Sequence, residues 1–274
     1  MITSRRNPKI KQARALRQRK HRHASGLFLL EGIRHVGEAV EAGADFEAIY
    51  YAPQLLTSAF AQDLIEAQST QGVACHAVSE GVFASLAEKE NPQGILAVVR
   101  QHPTILTRLN PDNFPWGVAV VEPQDPGNVG TILRTINAVG ASGLILLGDS
   151  VDPYHPTAVR ASMGAIFWHP VVMTSFEAFA GWSDKHDYHL YGTSAHGVQD
   201  YREVRYQTPL IVLLGSEREG LSQQQAAVCE KVVELPMRGK VTSLNLSVAT
   251  GILLYEVLNS FTGMERTGQV GLQV

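Results

Sequence analysis

The chain has 274 residues, of which 45% are hydrophobic, a composition typical of an α/β protein of about two domains. No apolar run reaches the ~18 residues that a membrane-spanning helix needs, and the basic N-terminus lacks the apolar stretch of a secretory signal. The two cysteines, Cys75 and Cys229, are too few for a disulfide framework or a cysteine-based zinc site. These features predict a cytoplasmic α/β protein with reduced thiols and no metal.

Positive charge is concentrated at the N-terminus, although the net charge of the whole chain is −3. Residues 1–23 carry nine lysines or arginines and no acidic residue, which leaves 14 basic and 26 acidic residues in the remainder. The nine cations are Arg5, Arg6, Lys9, Lys11, Arg14, Arg17, Arg19, Lys20 and Arg22. Segregated positive charge is typical of a polyanion-binding surface, and a solvated basic helix would show the same pattern.

Residues 1–102 show short apolar runs that alternate with helical patterns. A first helix is predicted from Ser4 to Arg22, where Ser4 is placed to cap it and Gly26 follows as a breaker. Strands are then predicted at 27–30, 48–51, 73–78 and 95–99, with helices at 32–43, 60–67 and 82–87 between them. This alternation predicts a compact α/β domain, and it contains neither a dinucleotide-binding glycine motif nor a nucleophile motif.

Residues 103–116 contain three prolines and few periodic apolar residues, so they are predicted to form a linker. Beyond them, strands are predicted at 117–121, 144–147, 166–172, 189–192, 210–214 and 232–235, with helices between. This pattern predicts a second α/β domain at 117–262 with a doubly wound parallel sheet, whose ligands bind at the carboxyl ends of the strands. The glycine-rich residues 263–274 are predicted to form a flexible tail.

Two loops at predicted strand ends carry candidate site residues. In the first, Asn128 is placed to cap a helix that begins near Val129, and Arg134 lies six residues further on. In the second, Gly215 and Gly220 have the spacing of a phosphate-binding loop, but a leucine stands where the essential lysine would be, which excludes an NTPase. Taken singly, an N-cap, an exposed cation and a glycine-bounded turn are ordinary structural features.

The third stretch, residues 237–256, begins with a glycine-containing turn and continues into an apolar helix predicted to start at Ser243. No charged residue occurs between Val241 and Tyr255, so this helix is expected to be buried on most sides. Its polar content lies at its start, where Ser243 and Asn245 are placed to cap it and free backbone N–H groups can bind a ligand.

In combination, these loops resemble the three signature motifs of the SpoU (TrmH) family of RNA 2′-O-ribose methyltransferases, within the SPOUT superfamily. The matching residues are Asn128, Gly130 and Arg134; Leu214-Gly215-Ser216-Glu217 with Gly220-Leu221-Ser222; and Pro236-Met237, Gly239 and Ser243-Leu244-Asn245-Leu246-Ser247. The first hundred residues also resemble the ribosomal-protein-L30e-like substrate-binding domain of rRNA-modifying members. That likeness rests on Ser4, Asn7-Pro8, Phe28, Glu31-Gly32 and residues 92–98.

The resemblance implies a catalytic domain with a deep trefoil knot that binds S-adenosylmethionine and is completed by a homodimer. By position, the cofactor pocket would be lined by Gly215, Leu235, Met237 and Leu244, and the polar active-site set would be Asn128, Arg134, Glu217, Ser243 and Asn245. Arg134 matches the residue that the family uses to activate the ribose 2′-hydroxyl. Because a guanidinium is a poor base, we hypothesise that Arg134 binds the substrate phosphate and orients the hydroxyl.

The implied function is S-adenosylmethionine-dependent 2′-O-methylation of structured RNA, with the basic N-terminus as an RNA-binding surface. The L30e-like domain favours 23S-type rRNA over tRNA, because members acting on tRNA usually lack it. A tRNA ribose methyltransferase and an inactive RNA-binding or ribosome-assembly protein are the alternatives. The complete polar set argues against loss of activity, although Arg218 and Glu219 put extra charges inside the second motif, where small or acidic residues are common in the family.

Overall fold

The computed structural model describes residues 1–88, 91–194, 197 and 199–266. They form two compact units, one made of Met1–His102 with Asp152–Phe167 and the other of Pro103–Val151 with the residues from Trp168 onward. The first unit was predicted to end at residue 102, but it also includes Asp152–Phe167, which begins about fifty residues later in the sequence. In the part of the chain that the structure describes, no helix is long and apolar enough to cross a membrane.

The first unit is built on a mixed four-stranded sheet. Its strands are β1 (Leu27–Glu31), β2 (Phe46–Tyr51), β3 (Cys75–Ala77) and β4 (Ile95–Arg100), in the order β1-β4-β2-β3. Strand β4 runs antiparallel to β1 and β2, and β3 runs parallel to β2. The helices of residues 1–102 are α1 (Pro8–Ala15), α2 (Arg19–Ser25), α3 (Ile33–Glu41), α4 (Ala59–Thr70) and α5 (Glu80–Leu86).

The single N-terminal helix predicted from Ser4 to Arg22 is two helices, α1 and α2, separated by a turn. Asn7 Oδ1 accepts a hydrogen bond from Lys9 N at 2.9 Å and thereby caps α1. The cap of α1 is therefore Asn7 and not Ser4. After α1 ends, Arg22 Nη1 donates to the carbonyl oxygens of Leu16 at 2.9 Å and Arg17 at 2.8 Å. The guanidinium thus satisfies carbonyl groups that a continuous helix would have used.

The second unit is built on a seven-stranded sheet in the order β7-β6-β5-β10-β8-β11-β9, and every pairing in it is parallel. This confirms the predicted parallel α/β domain. Its elements begin with β5 (Trp116–Val121), α6 (Pro126–Val139) and β6 (Leu144–Leu147). The chain then forms α7 (Pro156–Ser162) and α8 (Ala165–Trp168), which belong to the first unit apart from Trp168 at the end of α8. The remainder are β7 (Val171–Thr174), α9 (Phe176–Lys185), β8 (His189–Thr193), β9 (Gln199–Asp200), β10 (Leu210–Leu214), α10 (Gln223–Ala227), β11 (Lys231–Glu234) and α11 (Leu246–Arg266).

Several predicted boundaries differ from the structure. The strand expected at 166–172 is wrong in its first half, because α8 occupies 165–168 and β7 begins only after Pro170, which has no N–H to donate to a ladder. The expected linker 103–116 instead buries Leu106, Leu109 and Phe114 in the core of the second unit. Helix α11 continues to Arg266, into the predicted tail, while residues 267–274 lie outside the described residues. The trefoil knot stays a prediction.

Both cysteines are free thiols that are partly shielded from solvent. Burial raises the pKa of the Cys75 thiol, and it raises the pKa of Cys229 to about 11. Both groups are therefore protonated near neutral pH. They are poor nucleophiles in this state.

Candidate active site

The side chain of Asn128 does not cap α6 and can therefore take part in the candidate site. Asp125, not Asn128, caps this helix, because Asp125 Oδ1 accepts a hydrogen bond from Gly127 N at 2.7 Å and Pro126 occupies the first turn. The expectation that Asn128 is the N-cap is therefore wrong. Asn128 lies within the first turn with only 7% of its surface exposed. The Asp-Pro pair was the sequence signal that could have identified the true cap.

A chain of side-chain hydrogen bonds joins Asn128 to the other two motifs. Asn245 Nδ2 donates to Asn128 Oδ1 at 3.0 Å. Asn128 Nδ2 donates in turn to Glu217 Oε1 at 2.5 Å. We call this Asn245–Asn128–Glu217 sequence the amide chain. It brings together three candidate site residues that are distant in sequence. Glu217 lies 89 residues after Asn128, and Asn245 lies 117 residues after Asn128.

Asn245 also caps α11, which begins at Leu246 and not at Ser243 as predicted. Its Oδ1 accepts hydrogen bonds from Ser247 N at 2.9 Å and from Ser247 Oγ at 2.7 Å. The capping role and the site role of Asn245 therefore coexist. Ser243 is exposed in the preceding segment, and its side chain makes no hydrogen bond with any residue in the described ranges. The structure thus leaves Ser243 outside the amide chain.

The second motif forms a tight loop that presents Glu217. Ser216 and Gly220 exchange two backbone hydrogen bonds of 3.0 Å each, which closes the loop into a short antiparallel bridge. A Cβ on Gly215 would lie 2.1 Å from the carbonyl carbon of Gly220, so only glycine fits there. Gly220 has φ of +68°, a conformation that glycine adopts without strain. Glu217 lies at the tip of this loop and is exposed apart from its contact with Asn128.

Arg134 lies on α6 but not on the face that carries Asn128. Six residues of α-helix correspond to about 9 Å along the axis and about 240° around it. The Arg134 side chain is exposed and makes no hydrogen bond or ion pair with the part of the chain that the structure describes. Its guanidinium is therefore available to an anionic ligand.

The loop after β11 has features that fit S-adenosylmethionine. Gly215 follows β10 and Leu235 follows β11, so both lie at the ligand-binding edge of the sheet. Leu235 and Met237 are half-buried, and Leu244 is 37% exposed, which leaves apolar surface beside this edge. No residue in the described ranges accepts a hydrogen bond from the backbone N–H groups of residues 235–244. Free amide groups beside apolar side chains can hold the polar and apolar parts of a nucleoside.

Two family models match this chain. Residues 115–255 match the SpoU rRNA Methylase family, and residues 7–97 match the MRM3-like substrate binding domain. The chain belongs to the SpoU rRNA methylase family. The first model spans the three motifs that meet in the amide chain, and the second spans the basic helices.

Members of the family with full-length similarity include the 23S rRNA (uridine(2479)-2′-O)-methyltransferase of Streptomyces viridochromogenes, which is 34% identical over 94% of this chain and 91% of its own length. The 23S rRNA (guanosine(2553)-2′-O)-methyltransferase RlmP of Bacillus subtilis is 28% identical over 93% of this chain and 98% of its own length. The crystal structure of an AdoMet-bound rRNA methyltransferase from Sinorhizobium meliloti superimposes with a TM-score of 0.85 and 33% identity, covering 94% of this chain and 97% of that one. S-adenosylmethionine is therefore the cofactor of this SpoU methylase.

Within the basic segment of this SpoU family member, Arg22 is a structural residue. Its side chain is 1% exposed and forms a salt bridge of 2.6 Å with Asp152, while Nη1 donates to the carbonyl groups of Leu16 and Arg17. A buried guanidinium with these partners cannot reach an RNA phosphate. The prediction that Arg22 binds RNA is therefore wrong.

Several of the remaining cations also make contacts within the first unit. Arg5, Arg14 and Arg17 donate hydrogen bonds to backbone carbonyl groups. Lys9 Nζ lies 3.1 Å from His76 Nε2. Burial and the charge of Lys9 lower the pKa of His76, which favours the neutral ring that can accept this hydrogen bond. Arg5 and Lys9 stay exposed despite these contacts, whereas Arg14 and Arg17 are half-buried.

Three cations, Arg6, Lys11 and Lys20, have exposed side chains that form no hydrogen bond or ion pair with another described residue. We call them the free N-terminal cations. Side chains of this kind can bind phosphate groups without first breaking an internal contact. They are the part of the predicted RNA-binding set that the structure leaves most accessible.

Proposed function

We propose that this protein transfers the methyl group of S-adenosylmethionine to the 2′-hydroxyl of a ribose in 23S-type rRNA. The observation that carries the proposal is the amide chain, which joins one polar residue from each of the three SpoU motifs at the carboxyl edge of one parallel sheet. The 23S rRNA specificities of two full-length relatives support the choice of RNA.

The free guanidinium of Arg134 supports a role in binding and orienting the substrate. When bound, S-adenosylmethionine supplies a methyl group on a positively charged sulfur, which is already a good electrophile. The protein must therefore align the ribose hydroxyl and remove its proton. A guanidinium stays protonated and donates hydrogen bonds, so Arg134 is suited to hold the phosphate of the target nucleotide.

Replacement of Arg134 by alanine tests this role. Methyl transfer should fall by about 10²-fold or more, because a misplaced hydroxyl is no longer aligned for attack. The affinity for S-adenosylmethionine, measured by calorimetry, should stay within about twofold. Arg108→Ala is the matched control, since Arg108 is another exposed arginine of the second unit. Retained turnover in Arg134→Ala would contradict the assignment.

A methylation assay with radiolabelled S-adenosylmethionine distinguishes the possible RNA substrates. Label should appear in 23S rRNA, and reverse-transcription mapping should locate one 2′-O-methylated nucleotide. Label in tRNA alone would favour a tRNA methyltransferase. Binding of rRNA without transfer of label would favour an inactive RNA-binding or assembly protein.

We also propose that the protein acts as a homodimer through α11. In the single chain, Leu244, Val248 and Tyr255 are 37%, 50% and 55% exposed, so the helix is less buried than the missing charges predicted. Val248 and Tyr255 lie on one stripe of α11, and Leu244 precedes the helix directly beside Asn245. A second copy that covers this stripe would bury it next to the site. Val248→Asp should shift the mass measured by light scattering from dimer to monomer, whereas a wild-type monomer would contradict the proposal.

The free N-terminal cations support a proposal that the first unit captures the RNA. They lie in the region that matches the MRM3-like substrate binding domain, or directly before it in the case of Arg6. Because rRNA is the proposed substrate, we further propose that the protein acts in the cytoplasm. A fluorescent fusion that was excluded from the compartment containing ribosomes would contradict this location.

A further inference from the structure

The N-terminus of α11 determines the direction of the amide chain. Asn245 Oδ1 receives a backbone N–H from Ser247 at 2.9 Å, and a backbone N–H can only donate. The atom facing Ser247 must therefore be the oxygen of the Asn245 amide. Consequently the NH₂ group of Asn245 faces Asn128, and the two ends of the amide cannot be exchanged without losing the helix cap.

The same direction passes through Asn128. Its Oδ1 accepts the hydrogen bond from Asn245, so its Nδ2 must be the atom that faces Glu217. Asn128 is 7% exposed, and both ends of its amide have partners inside the protein. It can therefore hold Glu217 in place but has little capacity to contact a substrate.

Glu217 ends the chain as a hydrogen-bond acceptor. Its Oε1 receives the N–H of Asn128, and its Oε2 has no hydrogen-bond partner among the residues that the structure describes. Of the five polar residues predicted for the site, only Glu217 carries a carboxylate. Two asparagines and a serine are not bases near neutral pH, and an arginine is already protonated.

We propose that Glu217 Oε2 accepts the proton of the ribose 2′-hydroxyl, and that Asn128 and Asn245 are positioning residues that hold this carboxylate in its acceptor form. The inference rests on the proposed function. In the step, the bond between O2′ and the methyl carbon forms while the bond between that carbon and sulfur breaks, and its electron pair stays on sulfur. The electron pair of the O–H bond stays on O2′, the proton moves to Glu217 Oε2, and it is later released to water.

Glu217→Gln tests the acceptor directly, because glutamine keeps the shape and the contact with Asn128 but presents an NH₂ group to the substrate. The turnover number on rRNA should fall by about 10²- to 10⁴-fold. Affinity for S-adenosylmethionine and KM for RNA should change by no more than about threefold. The residual rate should rise about tenfold per pH unit above neutrality, because hydroxide replaces the lost base, and the wild-type rate should rise less steeply.

Two substitutions at Asn128 test the positioning role, because the proposal predicts that the nearly isosteric aspartate is more harmful than alanine. Asn128→Asp is nearly isosteric but places a second carboxylate against Glu217, so the pair would share a proton and Glu217 would be a poorer acceptor. Asn128→Ala removes the tether but leaves the carboxylate free to accept a proton. Asn128→Asp should therefore lose more turnover than Asn128→Ala, whereas a purely structural role would make the alanine variant worse.

The outcomes separate this inference from the proposed function. If the wild type methylates no RNA, the proposed function fails. If the wild type methylates rRNA and Glu217→Gln retains turnover within about threefold, Glu217 is not the proton acceptor and the inference alone is overturned. If Asn128→Ala loses more turnover than Asn128→Asp, the positioning role is overturned. Circular dichroism and S-adenosylmethionine binding establish that each variant is folded.

Discussion

Replacing Arg22 with alanine should destabilise the first unit strongly, although most other cations of the basic segment are exposed. The guanidinium is 1% exposed, and its partner Asp152 is 13% exposed. Its loss would leave the Asp152 carboxylate partly buried without its counter-charge. It would also leave the carbonyl oxygens of Leu16 and Arg17 without the hydrogen bonds of 2.9 and 2.8 Å that they now receive.

The expected magnitude follows from these contacts. Removal of one partner from a buried ion pair costs about 3–5 kcal/mol, because the other charge stays buried and unpaired. For a chain of this size, a loss of 1 kcal/mol lowers the unfolding midpoint by about 2–4 °C, so the midpoint should fall by roughly 6–20 °C. Lys20→Ala is the matched control on the same helix. Its exposed and unpartnered side chain should change the free energy of unfolding by less than about 0.5 kcal/mol.

Differential scanning calorimetry measures the loss of stability, and RNA titrations at several salt concentrations measure the loss of phosphate contacts. Lys20→Ala should lower the slope of log affinity against log salt by about 0.7–0.9, as expected for the loss of one phosphate contact. Arg22→Ala should leave that slope unchanged at a temperature where the variant is folded. A stable Arg22→Ala protein with a reduced salt slope would show that Arg22 binds RNA and does not hold the unit together.

Three further predictions concern the loop of the second motif, an acid-sensitive cap and the RNA surface. Gly215→Ala should weaken S-adenosylmethionine binding at least about tenfold by calorimetry, because the new Cβ would lie 2.1 Å from the Gly220 carbonyl carbon; Gly181→Ala, where nothing lies within 4 Å, should have no effect. Burial lowers the pKa of His155, whose ring caps α7, so its contribution to stability is present above the unfolded value of 6.5 and lost as the pH falls toward the folded pKa. His155→Asn keeps a capping side chain and should make the midpoint in urea less dependent on pH as the pH falls below about 6.5; an unchanged dependence would contradict this. Alanine at all three free N-terminal cations should weaken rRNA binding and reduce the salt slope by about 2–3, and an unchanged slope would exclude them from the interface.

The parallel sheet of the second unit was predictable because its strands are buried on both faces. Continuous apolar runs such as 210–214 become strands of this kind, and the structure has β10 at those residues. The run at 166–172 was also predicted to be a strand, yet its apolar first half is helical. Short apolar runs do not distinguish a buried strand from a buried turn of helix, so tertiary packing decides between them.

Local sequence chemistry also predicted which residues gather at the site. The three motifs indicated Asn128, Glu217 and Asn245, and the structure joins them by hydrogen bonds of 2.5 and 3.0 Å. What each one does there was not predictable, because an asparagine caps a helix or donates to a carboxylate with the same amide. Asn128 was expected to cap α6, and Asp125 does so instead.

By itself, the sequence determined the fold class, the family and the three polar residues that meet in the amide chain, since these depend on hydrophobic pattern, turn chemistry and motif spacing. Tertiary structure alone decided that Arg22 is buried against Asp152, 130 residues away, while Lys20 beside it is exposed. It also decided the direction of the amide chain, because the N-terminus of α11 supplies N–H groups that only an oxygen can accept. Burial and hydrogen-bond direction depend on neighbours distant in sequence, and no local pattern of residue types encodes them.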